Sequence, residues 1–581
     1  MKSLSYILLL AAASAGAQNL STEITVDRTI VPAERAASRL SSVRPSILTS
    51  PVNPTRLHMT EYMEPGTVTR SSCVLAPAAW ADSFAVSPYR GYVGGGYFPV
   101  YNLALSAGYR IIQNADTRLG VWGQFDGLSY EAPDAGSYDD YDIRFKNNTG
   151  TAGVDFDHRF GSTGVLTASA SYSYGRIVAP DRYCNGDHSL GMADVRAAWY
   201  ARAGRVGYHV DAALHTFGFR MHCDDDPFWV PATPVHLPVE KGTELEYKLS
   251  AGLIVPLGAN KGRAGLELGA DMLSRPAGTV AVFREGAAAG ATTYRDLYAA
   301  DGGTLGVISA TPYYAFGEAT GANVRLGARI DISTGGEGKK FHIAPDVQLS
   351  YSAAGFAIFA RAGGGEVLNT QRSLYDYCVF SPAGFLYERS HLPLTVDAGV
   401  NIGPFAGFSA GVFGGWARAN DWLMPGINML GLSTDYAMFI ATDIKGGHAG
   451  VRAAYDYRSM VHVEASAEFA PQKPESGYYM WRDRAKTVVK ASATVRPIER
   501  LALTLGYEWR GDRAFYMYGR EDVTRISAGS VSDLSFGARY ALTPALDIFA
   551  RGDNLLGRRY RLLPYVPSQG VHGLVGASFK F

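Results

Sequence analysis

From about Gly91 to Phe581 the chain is a succession of short segments in which every second side chain is apolar. Leu166, Ala168, Ala170, Tyr172 and Tyr174 alternate with Thr167, Ser169, Ser171 and Ser173. Val206, Tyr208, Val210, Ala212 and Leu214 alternate with Gly207, His209, Asp211, Ala213 and His215. Leu266, Leu268, Ala270 and Met272 alternate with Glu267, Gly269 and Asp271, and Leu501, Leu503, Leu505, Tyr507 and Trp509 repeat the theme. Strand side chains have a period of two, so each segment must lie between an oily phase and a wet one. A soluble sandwich offers that boundary, and so does the wall of a barrel set in a bilayer. In a barrel, the first set of each pair meets lipid. His209, Asp211, Glu267, Asp271, Glu464 and Glu468 would then line the lumen.

The connections favour the barrel. Tight ones fall at residues 161–163, 203–205, 258–262, 353–355, 403–405, 496–500 and 543–545, rich in residues that accept turn dihedrals. Wide ones run over 131–141, 221–242, 279–303, 366–389, 419–432 and 511–529. Short turns on one side and long loops on the other are the asymmetry of an outer-membrane barrel, and a sandwich has no reason to keep it. Counting by turn parity gives about twenty-one strands from Tyr92 onward. An ascending strand over 74–85 makes about twenty-two, the even number that bacterial barrels prefer. The predicted fold is all-β, a transmembrane antiparallel up-and-down barrel. Between Ser433 and Phe469 the turn falls either at 445–447 or at 457–459. Trp122, Trp199, Tyr200, Trp416, Trp422, Trp481 and Trp509, near strand ends, suit the interfacial aromatic girdles.

Composition agrees. Glycine (66) and tyrosine (35) are abundant, and a mean hydropathy of -0.04 is too polar for a bundle of membrane helices but fits strands that are half polar. Lys plus Arg and Asp plus Glu balance at 54 each, which gives no electrostatic reason for a nucleic-acid partner. Lys2, the apolar run 4–13 and Ala15-Gly16-Ala17 read as a secretory signal peptide over 1–17, cut before Gln18. Beyond it no apolar run reaches the length of a transmembrane helix. Export together with strands predicts the outer membrane of a double-membraned bacterium.

Near the C-terminus stand Asp553-Asn554-Leu555-Leu556-Gly557-Arg558-Arg559-Tyr560, then Pro567, Gly570 and a closing strand that ends Phe579-Lys580-Phe581. This stretch resembles the C-terminus of TonB-dependent outer-membrane receptors. There an Asn-Leu-Phe-like run, a Tyr, a Pro and a Gly precede a strand with a terminal aromatic. Leu556 stands where the family usually has an aromatic and Val571 where an Arg often follows the Gly. The motif covers about thirty residues, the architecture most of the chain. The resemblance implies a receptor for nutrient uptake and a terminal Phe581 read by the barrel-assembly machinery.

The family carries a sizeable plug domain ahead of the barrel. Here residues 18–65, Pro-rich through Pro32, Pro45, Pro51 and Pro54, are too short for one, and the barrel is assigned to 66–581. Closure of the lumen is then expected from the N-terminal segment, from inward-folded loops such as 279–303, or from a plug supplied in trans. Glu23-Ile24-Thr25-Val26-Asp27 resembles the short motif through which such receptors contact TonB, although extended Thr/Val segments are common and TonB engagement stays open. The alternative from another class is a structural or secretion-associated barrel that binds a surface lipoprotein or other envelope partner.

Other chemistry is sparse. Cys184 and Cys223 fall in neighbouring outward loops of an exported chain and are the candidate disulfide. Asp187, His188, His222, Asp224, Asp225 and Asp226 lie close by in sequence, but their spacing matches no zinc signature. His-Glu-x-x-His, phosphate loops and Cys-x-x-Cys are all missing, and no enzymatic activity is expected. No cofactor, metal or catalytic residue is assigned.

Overall fold

The computed structural model describes residues 89–581 apart from short segments, the longer of which are 134–141, 179–186, 223–240, 258–261, 284–294, 429–435, 475–479 and 519–522. The alternating segments form a closed antiparallel barrel of 22 strands. In chain order these are β1 Gly91–Phe98, β2 Asn102–Gln113, β3 Thr117–Pro133, β4 Asp142–Phe160, β5 Gly164–Val178, β6 Asp187–Ala203, β7 Val206–His222 and β8 Lys241–Leu257. There follow β9 Gly262–Arg275, β10 Gly303–Gly317, β11 Gly321–Thr334, β12 Phe341–Ala353, β13 Phe356–Val367, β14 Ser390–Phe405 and β15 Phe408–Asn428. The ring is completed by β16 Tyr436–Tyr457, β17 Val461–Phe469, β18 Thr487–Ile498, β19 Leu501–Gly511, β20 Val531–Ala541, β21 Leu546–Asp553 and β22 His572–Lys580. Each strand pairs with its neighbours in sequence, and β22 closes on β1 with Tyr92 opposite Lys580 and Tyr97 opposite Val575. The carbonyl of Phe581 extends that seam by accepting from the amides of Arg90 and Gly91, both at 2.8 Å.

Every one of the 22 strands presents at least one large apolar side chain to the outside, from Val93 on β1 through Tyr172, Val210, Leu268, Ile343 and Leu505 to Val575 on β22. Leaving such a belt in water forfeits roughly 1.5–3 kcal/mol for each side chain, so the belt is the lipid-facing surface of an outer-membrane barrel. Among the described residues no helix is long and apolar enough to cross a membrane.

Three local expectations change. The strand over 74–85 lies outside the described residues, and the ring already reaches 22 from Gly91. The connection between β1 and β2 is a tight turn at the end where the others are wide, so a count by parity loses one strand there. The turn read at 403–405 sits instead at Ala406-Gly407. Both residues have positive φ, 50° and 86°, which lets a two-residue reversal follow the twist of the strands. Between Ser433 and Phe469 the reversal falls after Tyr457. Lys445, Gly446 and Gly447 lie inside the β15–β16 ladder, opposite Arg418, Ala417 and Trp416.

Candidate functional site

The wide connection between β13 and β14 folds back into the barrel. Thr370 starts a short helix, α1 (Gln371–Tyr377). Its side chain accepts from the Ser373 amide at 3.1 Å, and the Ser373 hydroxyl faces the Thr370 amide in return. This reciprocal cap satisfies donors that a buried helix end would otherwise leave bare. A third donor, the Gln371 amide, reaches Glu244 Oε1 of β8 at 2.9 Å. Beyond the helix the segment turns, and Phe380, Phe385 and Tyr387 are buried.

These side chains meet the inner face of the wall at its wide-loop end. Leu128 and Tyr130 of β3, Phe145 of β4, Ile177 of β5, Leu190 and Met192 of β6, and Phe217 and Phe219 of β7 join Leu374, Tyr375, Tyr377, Phe380 and Phe385 in one apolar cluster. Tyr130 stacks on Phe145 with centroids 5.1 Å apart, and Phe380 meets Phe145 edge-on at 5.4 Å. The loop leaves from β13 and reaches β3, ten strands away in a ring of 22, so it crosses nearly the full width of the lumen. Polar contacts pin its flanks. Arg372 bonds Asp376 and reaches Asp194 of β6 at 3.3 Å, and Asp194 bonds His215 of β7 at 2.7 Å. Arg275 of β9 donates to the Tyr387 carbonyl at 2.8 Å, and Arg389 to the carbonyls of Thr334 and Gly335. Trp422, expected in a lipid-facing girdle, is buried in this cluster, whereas Trp416 is 40% exposed on the outside. The segment 279–303, offered as an inward lid, takes part in a hairpin that pairs Gly278–Phe283 with Arg295–Ala300.

Nearer the tight turns lies a network of charged side chains. Arg325 is 2% exposed and bonds Asp346 at 2.7 Å, lies 3.8 Å from Glu267, and covers the Tyr313 ring at 3.5 Å from its centroid. His209 approaches Glu267 at 3.9 Å, Asp211 binds Arg196 at 2.8 Å, and Glu464 accepts from Ser492 at 2.9 Å. His209, Asp211 and Glu267 sit between exposed apolar neighbours such as Val210, Leu266 and Leu268. Asp271 and Glu468 are partly covered. Removing Arg325 leaves Asp346 and Glu267 without their cation, a change that costs about 3–5 kcal/mol for a buried pair. Arg325→Met is therefore expected to lower the temperature at which the purified barrel loses its compact, fast-migrating form on gels. An unchanged transition would mean that the network carries no stability.

Cys184 and Cys223, the disulfide candidates, lie outside the described residues, and Cys378 is buried beside the helix. Sequence reading missed one constellation. His342 of β12, Glu366 of β13 and His391 of β14 converge at the root of the crossing loop, with ligand atoms all within 4.8 Å of one another. The residues are far apart in sequence, and only strand pairing brings them together.

No family model and no curated protein matches the chain in sequence. Solved structures do match it in shape. The ferric enterobactin receptor PfeA from Pseudomonas aeruginosa superposes with a TM-score of 0.59 at 11% identity, over 85% of this chain and 80% of that one. The siderophore receptor PirA from Acinetobacter baumannii gives 0.61 at 9%, over 86% and 81%. The copper transporter OprC gives 0.58 at 12%, over 86% and 82%. The fold is that of the TonB-dependent receptors. At such identity the likeness speaks for the fold.

The receptor-like C-terminal stretch has a structural reason for its residues. Asn554, at φ 48°, donates from Nδ2 to the carbonyls of Arg558 and Gln569 at 2.7 and 2.8 Å, while its amide reaches Asp533 at 3.1 Å. Asn tolerates the left-handed region and carries the extra donors. Tyr560 reaches Asp533 at 3.4 Å, and burial, with the Asp533 charge next, pushes its phenol well up. The loop so shaped feeds Leu562 and Val566 into the lumenal cluster, where Tyr130 Oη donates to the Pro567 carbonyl at 2.7 Å. The last β21–β22 loop thus helps to seat the crossing loop.

Proposed function

We propose that this chain takes up a nutrient across the outer membrane through a lumen gated by the β13–β14 loop. The observation that carries the reading is that loop's docked position across a 22-strand ring. The apolar cluster blocks water at the mouth, and the charged inner wall below it offers a polar path once the loop moves. We assign His209, Asp211, Glu267, Asp271, Glu464 and Glu468 to that lumenal lining. The structural neighbours named above are receptors and transporters, which does not favour the scaffold alternative. A metal ion or metal chelate is the first solute class to test, since those neighbours are described as receptors of siderophores or a transporter of copper. No catalytic role is proposed.

The test is accumulation of labelled ferric siderophores and copper in cells lacking the chain and in complemented cells. Restored accumulation of one of these is the expected result. Equal accumulation with and without the chain, across a panel of metal chelates, would remove this solute class. The segment 23–27 is proposed to engage TonB and Phe581 to guide assembly. Ile24→Pro with Val26→Pro should then abolish uptake while leaving the amount of assembled barrel unchanged.

A further inference from the structure

The geometry points to a binding site for a divalent transition-metal ion formed by His342, Glu366 and His391, which clamps both roots of the lumen-crossing loop. Glu366 Oε1 lies 3.1 Å from His342 Nε2 and 2.9 Å from His391 Nδ1, and the two imidazole centroids are 3.9 Å apart. Three donors so close can share an ion at about 2.0–2.2 Å from each, the distances zinc takes with His nitrogen and carboxylate oxygen. Two imidazoles and one carboxylate suit zinc, copper, iron or nickel better than magnesium or calcium, which prefer all-oxygen sites.

Hydrogen bonding alone does not explain the arrangement. Glu366 is 3% exposed, yet its Oε1 makes no hydrogen bond of acceptable geometry, and neither does the buried His391 Nδ1 2.9 Å away. The two atoms are close enough to share a proton, yet no hydrogen bond forms between them. A buried acceptor left in this state is costly unless something else satisfies it. The other carboxylate oxygen, Oε2, is held by Arg389 Nε at 3.5 Å, which fixes the carboxylate plane and leaves Oε1 for the ion. The Glu366 amide donates to Asp331 Oδ2 at 2.9 Å, and Asp331 pairs with Arg329, so the backbone beneath the ligand is tied as well.

The wall is built irregularly at this spot. Register slips between Gly363 and Gly365 on β13 and between His391 and Leu394 on β14. Gly365 has φ +136°, where a Cβ would strike Arg329 and Asp331. Bulges re-aim side chains. Here the irregularity accompanies the meeting of Glu366, just before the loop, and His391, just after it, with His342 of β12. An ion bound there ties the end of β13 to the starts of β12 and β14, and so fixes the angle at which the loop enters the lumen. This holds whatever solute passes.

The test uses the full-length barrel in detergent, stripped with EDTA and dialysed against graded zinc. Wild type is expected to retain about one zinc per chain, and His342→Ala with His391→Ala to bind at least about a hundredfold more weakly. Glu366→Gln, which keeps the shape, should weaken binding while heat-modifiable migration on gels stays wild-type, showing an intact barrel. In the same samples zinc should slow protease cleavage of the 368–389 segment in wild type about tenfold and leave the double variant unchanged. Equal zinc content in wild type and the double variant overturns the site. Zinc binding that leaves cleavage unaltered overturns the clamp.

Discussion

Replacing residues 371–387 by a short Gly-Ser linker is expected to raise the single-channel conductance of the barrel in planar bilayers at least about tenfold. Rings of sixteen to eighteen strands already leave an aqueous channel, and 22-strand rings must be filled to be tight. In this chain the filling at the mouth is the β13–β14 loop, whose Leu374, Tyr375, Tyr377, Phe380 and Phe385 bridge the walls on opposite sides. The linker removes those side chains but keeps β13 and β14 joined, so the ring itself persists. If conductance stays low in this variant and rises only when residues 18–65 are removed, the seal belongs to the N-terminal segment and the gating role of the loop fails.

Phe380→Ala is expected to release the docked loop without harming the barrel. The ring of Phe380 lies edge-on to both Phe145 and Tyr130, at 5.4 and 6.4 Å. Truncating a buried Phe costs about 3–5 kcal/mol. A loss of that size shifts a docking equilibrium by about two to three and a half orders of magnitude, since each ~1.4 kcal/mol is tenfold. Added protease should therefore cut the segment 368–389 in the variant far faster than in wild type, while heat-modifiability of the barrel is unchanged. Equal cleavage rates would show that the aromatic contacts do not hold the loop.

The barrel was legible in the sequence because its wall obeys a local rule. Tyr172 and Tyr174 against Ser173, or Leu266 and Leu268 against Glu267, reveal two faces within five residues. The gate was not legible, because no local rule says which loop turns inward. The aromatic density of 374–387 and the Thr370–Ser373 cap were the available signals, and a stronger one lay on the wall. Leu128, Tyr130 and Ala132, like Phe217 and Phe219, are apolar on the face that should be wet, at the wide-loop ends of their strands. An inner face that turns oily needs something oily inside. The triad of His342, Glu366 and His391 was hidden for another reason. Its members sit on three successive strands, and Glu366 meets His391 only through a ladder whose register carries bulges that no reading of turn positions fixes.

The inward fold of the β13–β14 loop also decides what the surroundings can see. A connection of this length would ordinarily be on display to antibodies and phages, and free to drift in sequence under their pressure. Docked against the inner wall, this loop is withheld from that scrutiny and answers to packing instead. Escape variation should therefore collect in the other outward loops, while this one changes as slowly as a core.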